Sequence, residues 1–431
     1  MQPRGESRSL LLATKRFSLP LSTVLSRNQR RTPSRYALVV NWLAAQLSRE
    51  TSSGRFIPEM DGLRFVAIAM VILFHLNGYL TAKTPLQVAG THSTWVAQMA
   101  QVGFHGVELF FVISGFILGL PFAAHHLNGA TPVSLRKYYL RRLTRLEPPF
   151  FVTALGLFVL AVWGQGRTAA ALLPHLAASL FYLHNLIYGS ASSVIGVAWS
   201  LEIEVQFYLL VPLLTLLFAI RRRWLRRLSV LGLILVTLSA QSLFVEQGGR
   251  ASLSILGYLQ FFLAGFLLAD IFLADWKESP QPSVHWDIVS LLGWPLMFFI
   301  LRSDVITHWT FVLLIFLLYS AAFRGHLGRR IFSNPWITAI GGMCYSIYLI
   351  HYEVISAVAR FTDRIHPGGP YWVYFFIQLV LVGSAILLIC GLYFVLLEKP
   401  CMRRDWWQRM WGYSPGEICS TGPLAQISAA E

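Results

Sequence analysis

A polytopic bundle of transmembrane α-helices, all-α in class, is predicted for this chain on three grounds. Of its 431 residues, 55% are hydrophobic and 13% charged, with a mean hydropathy of +0.56. A soluble domain of that length does not need so apolar a surface. The apolar residues are also gathered in blocks of helix-spanning length. Finally, the basic residues punctuate those blocks, so the net charge of +15 belongs to membrane topology and not to a nucleic-acid partner. The four cysteines, Cys344, Cys390, Cys401 and Cys419, show no CxxC pair or ligand spacing, so neither a disulfide framework nor a metal site is expected.

Residues 1–55 are basic and rich in Ser and Arg, with only Glu6 and Glu50 as acids. They lack the apolar core and cleavage site of a signal peptide and read as a disordered cytoplasmic tail. Within them, residues 36–48 have the pattern of a short interfacial helix. Residues 56–400 form the membrane domain, and 401–431 a cytoplasmic C-terminal tail rich in Arg and Trp. Eleven apolar blocks run from 63–80 to 372–397, and eleven crossings put the basic run Arg221–Arg227 on the wrong side. If the block at 170–187, with His175, His184 and Asn185, enters and leaves on one side, ten spans remain and both termini lie inside. Then 28 Lys and Arg fall inside and six outside, the asymmetry that the positive-inside rule demands. A re-entrant segment near 170–200 is therefore expected, lining the active cavity, because irregular backbone at membrane depth survives only in such a place.

The chain is organised around residues 57–76, IPEMDGLRFVAIAMVILFHL. As a helix, Leu63 to Leu80 is about 27 Å long, enough to cross most of a hydrocarbon core. His75 lies roughly 16 Å along the axis from Arg64. Asp61, Arg64 and His75 fall within roughly 60° of one another around it. A histidine at depth is expensive to bury idly, which favours a functional role over a neutral hydrogen bond between helices.

Four further blocks carry chemistry. In GFHGVELFFVISGFILGLPF, Glu108 sits near the outer end of the second span. Ser114 follows it in VISGF, which is not a nucleophile elbow, so Ser114–Gly115 reads more readily as a small-residue packing site. In LRKYYLRRLTRLEPPF, Arg141, Arg142 and Arg145 are spaced to form one guanidinium patch on the inside. That patch suits a phosphorylated cofactor, and it equally suits an ordinary positive-inside flank. Pro148-Pro149 is expected to mark the start of the third span. In VAWSLEIEVQFYLLVPLL, Glu202 and Glu204 are about 200° apart on a helix and cannot share a cavity. Glu204 shares its face with Tyr208, and one inward carboxylate near a membrane histidine is the pairing that orients an imidazole. The alternative is an interfacial cluster around Trp199 marking a helix end. In MCYSIYLIHYEV, Tyr345 and Ser346 open a span that contains a second histidine, His351, as well suited to bonding between helices as to catalysis.

These five blocks, in this order, resemble the acyltransferase 3 family of integral membrane acyltransferases. The resemblance rests on PEMDGLRFVAIAMVILFH, GVELFFVISGFIL, Arg141-Arg142-x-x-Arg145-x-x-Pro148, the WSL-x-x-E-x-x-FY run from Trp199 to Tyr208, and the YS-x-YL-x-H run from Tyr345 to His351. It covers about 57–400. It implies transfer of an acyl group, usually acetyl, from a cytoplasmic acyl-CoA to a hydroxyl on a carbohydrate or other acceptor. By that resemblance His75 and Arg142/Arg145 are essential and Glu204 is the glutamate of WSL-x-x-E. Glu108 stands where the family commonly has Asp, a departure that keeps the charge on a longer arm.

The resulting expectation has the arginine patch, with Arg64, holding the CoA phosphates at the cytoplasmic face. His75 is general base or transient acyl carrier, and Glu204 or Glu108 orients it. A bacterial inner membrane fits. Some relatives carry an extracytoplasmic hydrolase-like domain; with none here, acyl hand-off of that kind needs a separate protein. The rival from another class is a secondary transporter of a sugar or lipid, against which stands the absence of an inverted repeat.

Overall fold

Each of the eleven apolar blocks carries helix in the computed structural model, which describes residues 47, 49, 56–83, 94–245, 249–300, 307–365 and 370–402. Most of both terminal tails, with the interfacial helix expected at 36–48, lies outside the described residues. The described part belongs to one compact unit, Leu43–Glu431.

The helices in chain order begin with α1 (Pro58–Lys83), α2 (Trp95–Val102), α3 (Gly106–Asn128) and α4 (Leu135–Val159). Two short ones, α5 (Ala169–Leu180) and α6 (His184–Tyr188), precede α7 (Trp199–Leu214), α8 (Arg223–Ala240) and α9 (Leu259–Ala274). Then come α10 (Val284–Ile300), α11 (Thr307–Arg324), α12 (His326–Phe332), α13 (Pro335–Gly342), α14 (Cys344–Thr362) and α15 (Tyr371–Tyr393). Among the described residues, five helical stretches are long and apolar enough to cross a membrane, or six if α11 and α12, bent by 87°, form one span. α9 and α10, at 16 and 17 residues, reach only about 25 Å. The expected ten crossings are therefore not all single helices of full length.

Local chemistry sets several ends. Gly129, at φ 67°, closes α3 in the left-handed conformation that an L side chain resists. Asn334 caps α13, its Oδ1 accepting from Trp336 N at 3.0 Å, with Pro335 at the first position. Pro148 and Pro149 do not start a helix: they sit inside α4, which begins at Leu135 behind the cap Ser134. Proline leaves carbonyls without helical donors. The carbonyls freed here are those of Thr144 and Arg145, and beside them hydroxyls from other helices brace α4, Tyr345 donating to Leu146 O at 2.8 Å and Tyr393 to Pro149 O at 2.7 Å.

The segment 169–195 runs out and back. α5 has 12 residues, about 18 Å, too short to cross. Tyr182, at φ 57°, turns the chain into α6. Arg167 Nη1 donates to Ser193 O at 2.9 Å, which ties the two ends of the excursion together. Near the end of α5, Ser179 Oγ donates to Ser192 Oγ at 2.8 Å. The excursion has its own small core, in which Leu172, Leu176 and Ile195 pack on Phe150 and Ala154 of α4.

The bundle centre is the α3–α9 pair, the most extensive helix contact among the described residues. Gly115 and Gly265 let the two backbones touch. A Cβ built on Gly115 would lie 2.0 Å from Phe262 O, and one on Gly265 would lie 2.2 Å from Val112 O and 2.5 Å from Phe116 N. Small residues at a membrane helix interface permit that approach, and Phe111 and Phe207 stack on Phe262 around it. Gly265→Ala is expected to destabilise the detergent-solubilised protein by about 1–3 kcal/mol through overpacking. Gly232→Ala, whose Cβ meets nothing within 4 Å, should leave the melting temperature unchanged or raise it. Equal melting of the two variants would show that the α3–α9 contact is loose.

Candidate functional site

The foot of α1 builds the first wall. Asp61 is fully buried; its Oδ1 accepts from Arg64 Nη1 and its Oδ2 from Arg49 Nε at 2.8 Å. Both carboxylate oxygens are satisfied, so a charge otherwise prohibitive at this depth is stable. Arg64, held this way, faces a cavity of about 120 Å³. Val71, two turns on, lines the same cavity. His75 stands one further turn along that face.

α4 contributes Arg142 and Arg145 to the cavity wall. The Arg142 guanidinium lies 5.7 Å from the Tyr208 ring centroid, a cation–π distance. The buried Nε atoms of both arginines have no hydrogen-bond partner among the described residues. Arg141 does not join them. It is exposed, its Nε donating to Lys137 O of its own helix, because one residue is about 100° of rotation. The three arginines therefore do not form a single patch.

α3 and α7 bring the chemistry to mid-cavity. Ser114 Oγ donates to Glu204 Oε1 at 2.6 Å, and both line the cavity with Tyr208. Glu202 points the other way, as the 200° spacing requires. Its Oε2 accepts from Asn185 N at 2.8 Å, anchoring the 169–195 excursion. That excursion does not line the cavity; of residues 170–200 only Ser200 does. Its apolar face is taken up by α4 instead.

α14 closes the remaining side. Tyr345 and Tyr348 line the cavity, Tyr345 fixed by its bond to α4 and Tyr348 by its donation to Val197 O. Ser346 turns away, giving its N (3.0 Å) and Oγ (2.5 Å) to Glu398 Oε2. His351 is fully buried, and its Nδ1 lies 2.9 Å from the carbonyls of both Ile347 and Tyr348. Carbonyls only accept, so Nδ1 carries a proton; no partner for Nε2 is present among the described residues. The His75 ring, half-buried, packs 5.1 Å from that of His351 and 5.3 Å from that of Tyr352.

Neither glutamate expected to orient His75 is bonded to it. Glu204 serves Ser114, and Glu108, 5% exposed, faces His105 with Oε1 at 3.2 Å from Nδ1. Trp199 stacks on Phe104 at 5.8 Å with an interplanar angle of 6°, outside the cavity lining. Arg49, Tyr348 and Glu398 were not singled out as site residues from sequence. Tyr348 lies within the YS-x-YL block and Glu398 within LLEKP, so an acid at a span end was the available signal for the latter. Arg49 had none.

The molecule is thus a polytopic helical membrane protein with a buried cationic cavity, in which three guanidiniums face one carboxylate and its hydroxyl partner. The chain belongs to the acyltransferase 3 family, whose model, described as an acyltransferase domain, matches residues 57–394. Over 350 residues it is 27% identical to a Staphylococcus aureus (strain COL) protein named "Putative O-acetyltransferase SACOL0978", covering 74% of this chain and 54% of that one. Over 377 residues it is 26% identical to "O-acetyltransferase OatA" of Staphylococcus aureus (strain NCTC 8325 / PS 47), covering 82% of this chain and 58% of that one. The chain spans little more than half the length of these curated relatives. No solved structure gives a significant match.

Proposed function

We propose that this protein is an integral membrane O-acyltransferase. It moves an acyl group, acetyl by preference, from cytoplasmic acyl-CoA to a hydroxyl of a carbohydrate or glycolipid at the opposite face of a bacterial inner membrane, with both termini cytoplasmic. The observation that carries the reading is the convergence of Arg64, Arg142 and Arg145 on one buried cavity that also holds a bonded hydroxyl and carboxylate. Guanidinium groups grip phosphate in paired hydrogen bonds, and CoA is a polyanion that cannot cross a bilayer. Its thioester end, on a thin arm, can be drawn inward while the phosphates stay at the basic edge. His75, one turn beyond the cavity wall, serves as general base or acyl carrier at the outer end. The names of the relatives support O-acetylation as the chemistry.

The deciding assay places purified protein in proteoliposomes with acyl-labelled acetyl-CoA and cell-envelope glycans, and follows CoA release and label transfer. Gradient-driven flux of a sugar or lipid with no thioester turnover would replace this reading with the transporter. Within the assay, Arg142→Ala and Arg145→Ala should each raise KM for acetyl-CoA by about 10- to 100-fold, the value of a charge-assisted hydrogen bond of roughly 1.5–3 kcal/mol. Arg141→Ala, already exposed, should leave it within a factor of two or so, as surface charges do.

A further inference from the structure

We propose that Ser114 carries the acyl group covalently between donor and acceptor, with Glu204 as its base. The inference rests on acyl-CoA being the donor. A serine or threonine inside a membrane helix ordinarily returns its hydroxyl to a carbonyl of its own preceding turn, as Thr144, Ser229 and Ser384 do here. Ser114 instead reaches a carboxylate 90 residues away, at 2.6 Å. That is the geometry of a nucleophile with its base in hydrogen-bond reach.

The surroundings fit the role. Ser114 and Glu204 both face the cavity, so the hydroxyl is presented to a ligand and not to lipid. Arg64, Arg142 and Arg145 line the same space and offer donors for negative charge developing on a carbonyl oxygen, in a site where such donors act strongly. Gly115, the next residue, brings the backbone of α3 against that of α9, which fixes the helix that holds Ser114 in depth and rotation.

In the first half-reaction Oγ forms a bond to the thioester carbonyl carbon while Glu204 takes its proton. The C–S bond then breaks, and Glu204 gives that proton to the departing sulfur, leaving an ester on Ser114 and free CoA. In the second, the acceptor hydroxyl oxygen forms a bond to the same carbon while His75 takes its proton. The C–Oγ bond breaks, and His75 gives up the acceptor's proton, which ends on Oγ. Donor and acceptor approach from opposite sides, and a covalent relay lets each come in turn.

The test uses the full chain with acyl-labelled acetyl-CoA and no acceptor. A burst of CoA close to one equivalent is expected, with the label retained on the peptide bearing Ser114 and stable to neutral hydroxylamine. Ser114→Ala should abolish the burst while acetyl-CoA affinity, measured by calorimetry, stays within about threefold. Glu204→Gln should slow the burst by about 10²-fold or more. Ser114→Cys should yield a label that neutral hydroxylamine removes. Label on another residue, or steady transfer to acceptor with no protein-bound acyl group, would overturn the relay and leave the acyltransferase reading standing. Failure to bind or turn over acetyl-CoA at all would bring down both.

Discussion

His75→Ala is expected to lower acyl transfer to acceptor by about 10²–10⁴-fold, the range of a positioned general base. The fold should tolerate it. His75 is half-buried, and its described contacts are ring packing against Phe74, His351 and Tyr352. No hydrogen bond from its ring is present among the described residues, so its loss strands none of them. The two half-reactions should separate: the CoA burst without acceptor persists, and transfer of the label to glycan disappears. Measuring both in the same proteoliposomes distinguishes a base from a carrier, because a carrier at position 75 would lose the burst as well. Wild-type transfer by His75→Ala would remove this residue from the chemistry.

Asp61→Ala should cost about 3–5 kcal/mol of stability, the consequence of leaving a buried ion network without its counter-charge. Asp61 is fully buried and accepts from Arg49 and Arg64 at once. Its backbone carbonyl is packed so tightly by α13 that a Cβ on Gly341 would lie 1.8 Å from it, so the foot of α1 has little room to shift in compensation. Thermal melting in detergent reads the loss directly. Adding Arg49→Met to Asp61→Ala should recover part of it, because one stranded charge is removed with it, and that non-additivity marks the pair as coupled. Arg64 also loses the group that aims it at the cavity, so KM for acetyl-CoA should rise in the surviving protein. A melting temperature within a degree or two of wild type would mean that the network is solvated and contributes little.

Much of the architecture was legible before any coordinates. Hydropathy located the helices, and the 100° step separated Glu202 from Glu204 correctly because both sit on one rigid helix. The same step, applied to Arg141, should have turned it away from Arg142; three- and four-residue spacing alone overstated the patch. Pro148-Pro149 misled for a different reason. The helix runs straight through them, braced beside the prolines at Leu146 O and Pro149 O by Tyr345 and Tyr393, each more than 190 residues distant along the chain.

What the sequence determined by itself is everything that depends on period and transfer free energy: an all-α membrane bundle, the placement of its apolar blocks, and the faces on which Asp61, Arg64 and His75 lie. What only tertiary structure decided is who meets whom. Glu204 pairs with Ser114 and Glu108 with His105, while Glu398 holds Ser346 and His75 rests on His351. A helix dictates the direction of its own side chains through local geometry. The partner of a buried polar group is settled instead by helix rotation and depth, set where backbones touch at Gly115 and Gly265. Those contacts join residues far apart in the chain, and no local period records them.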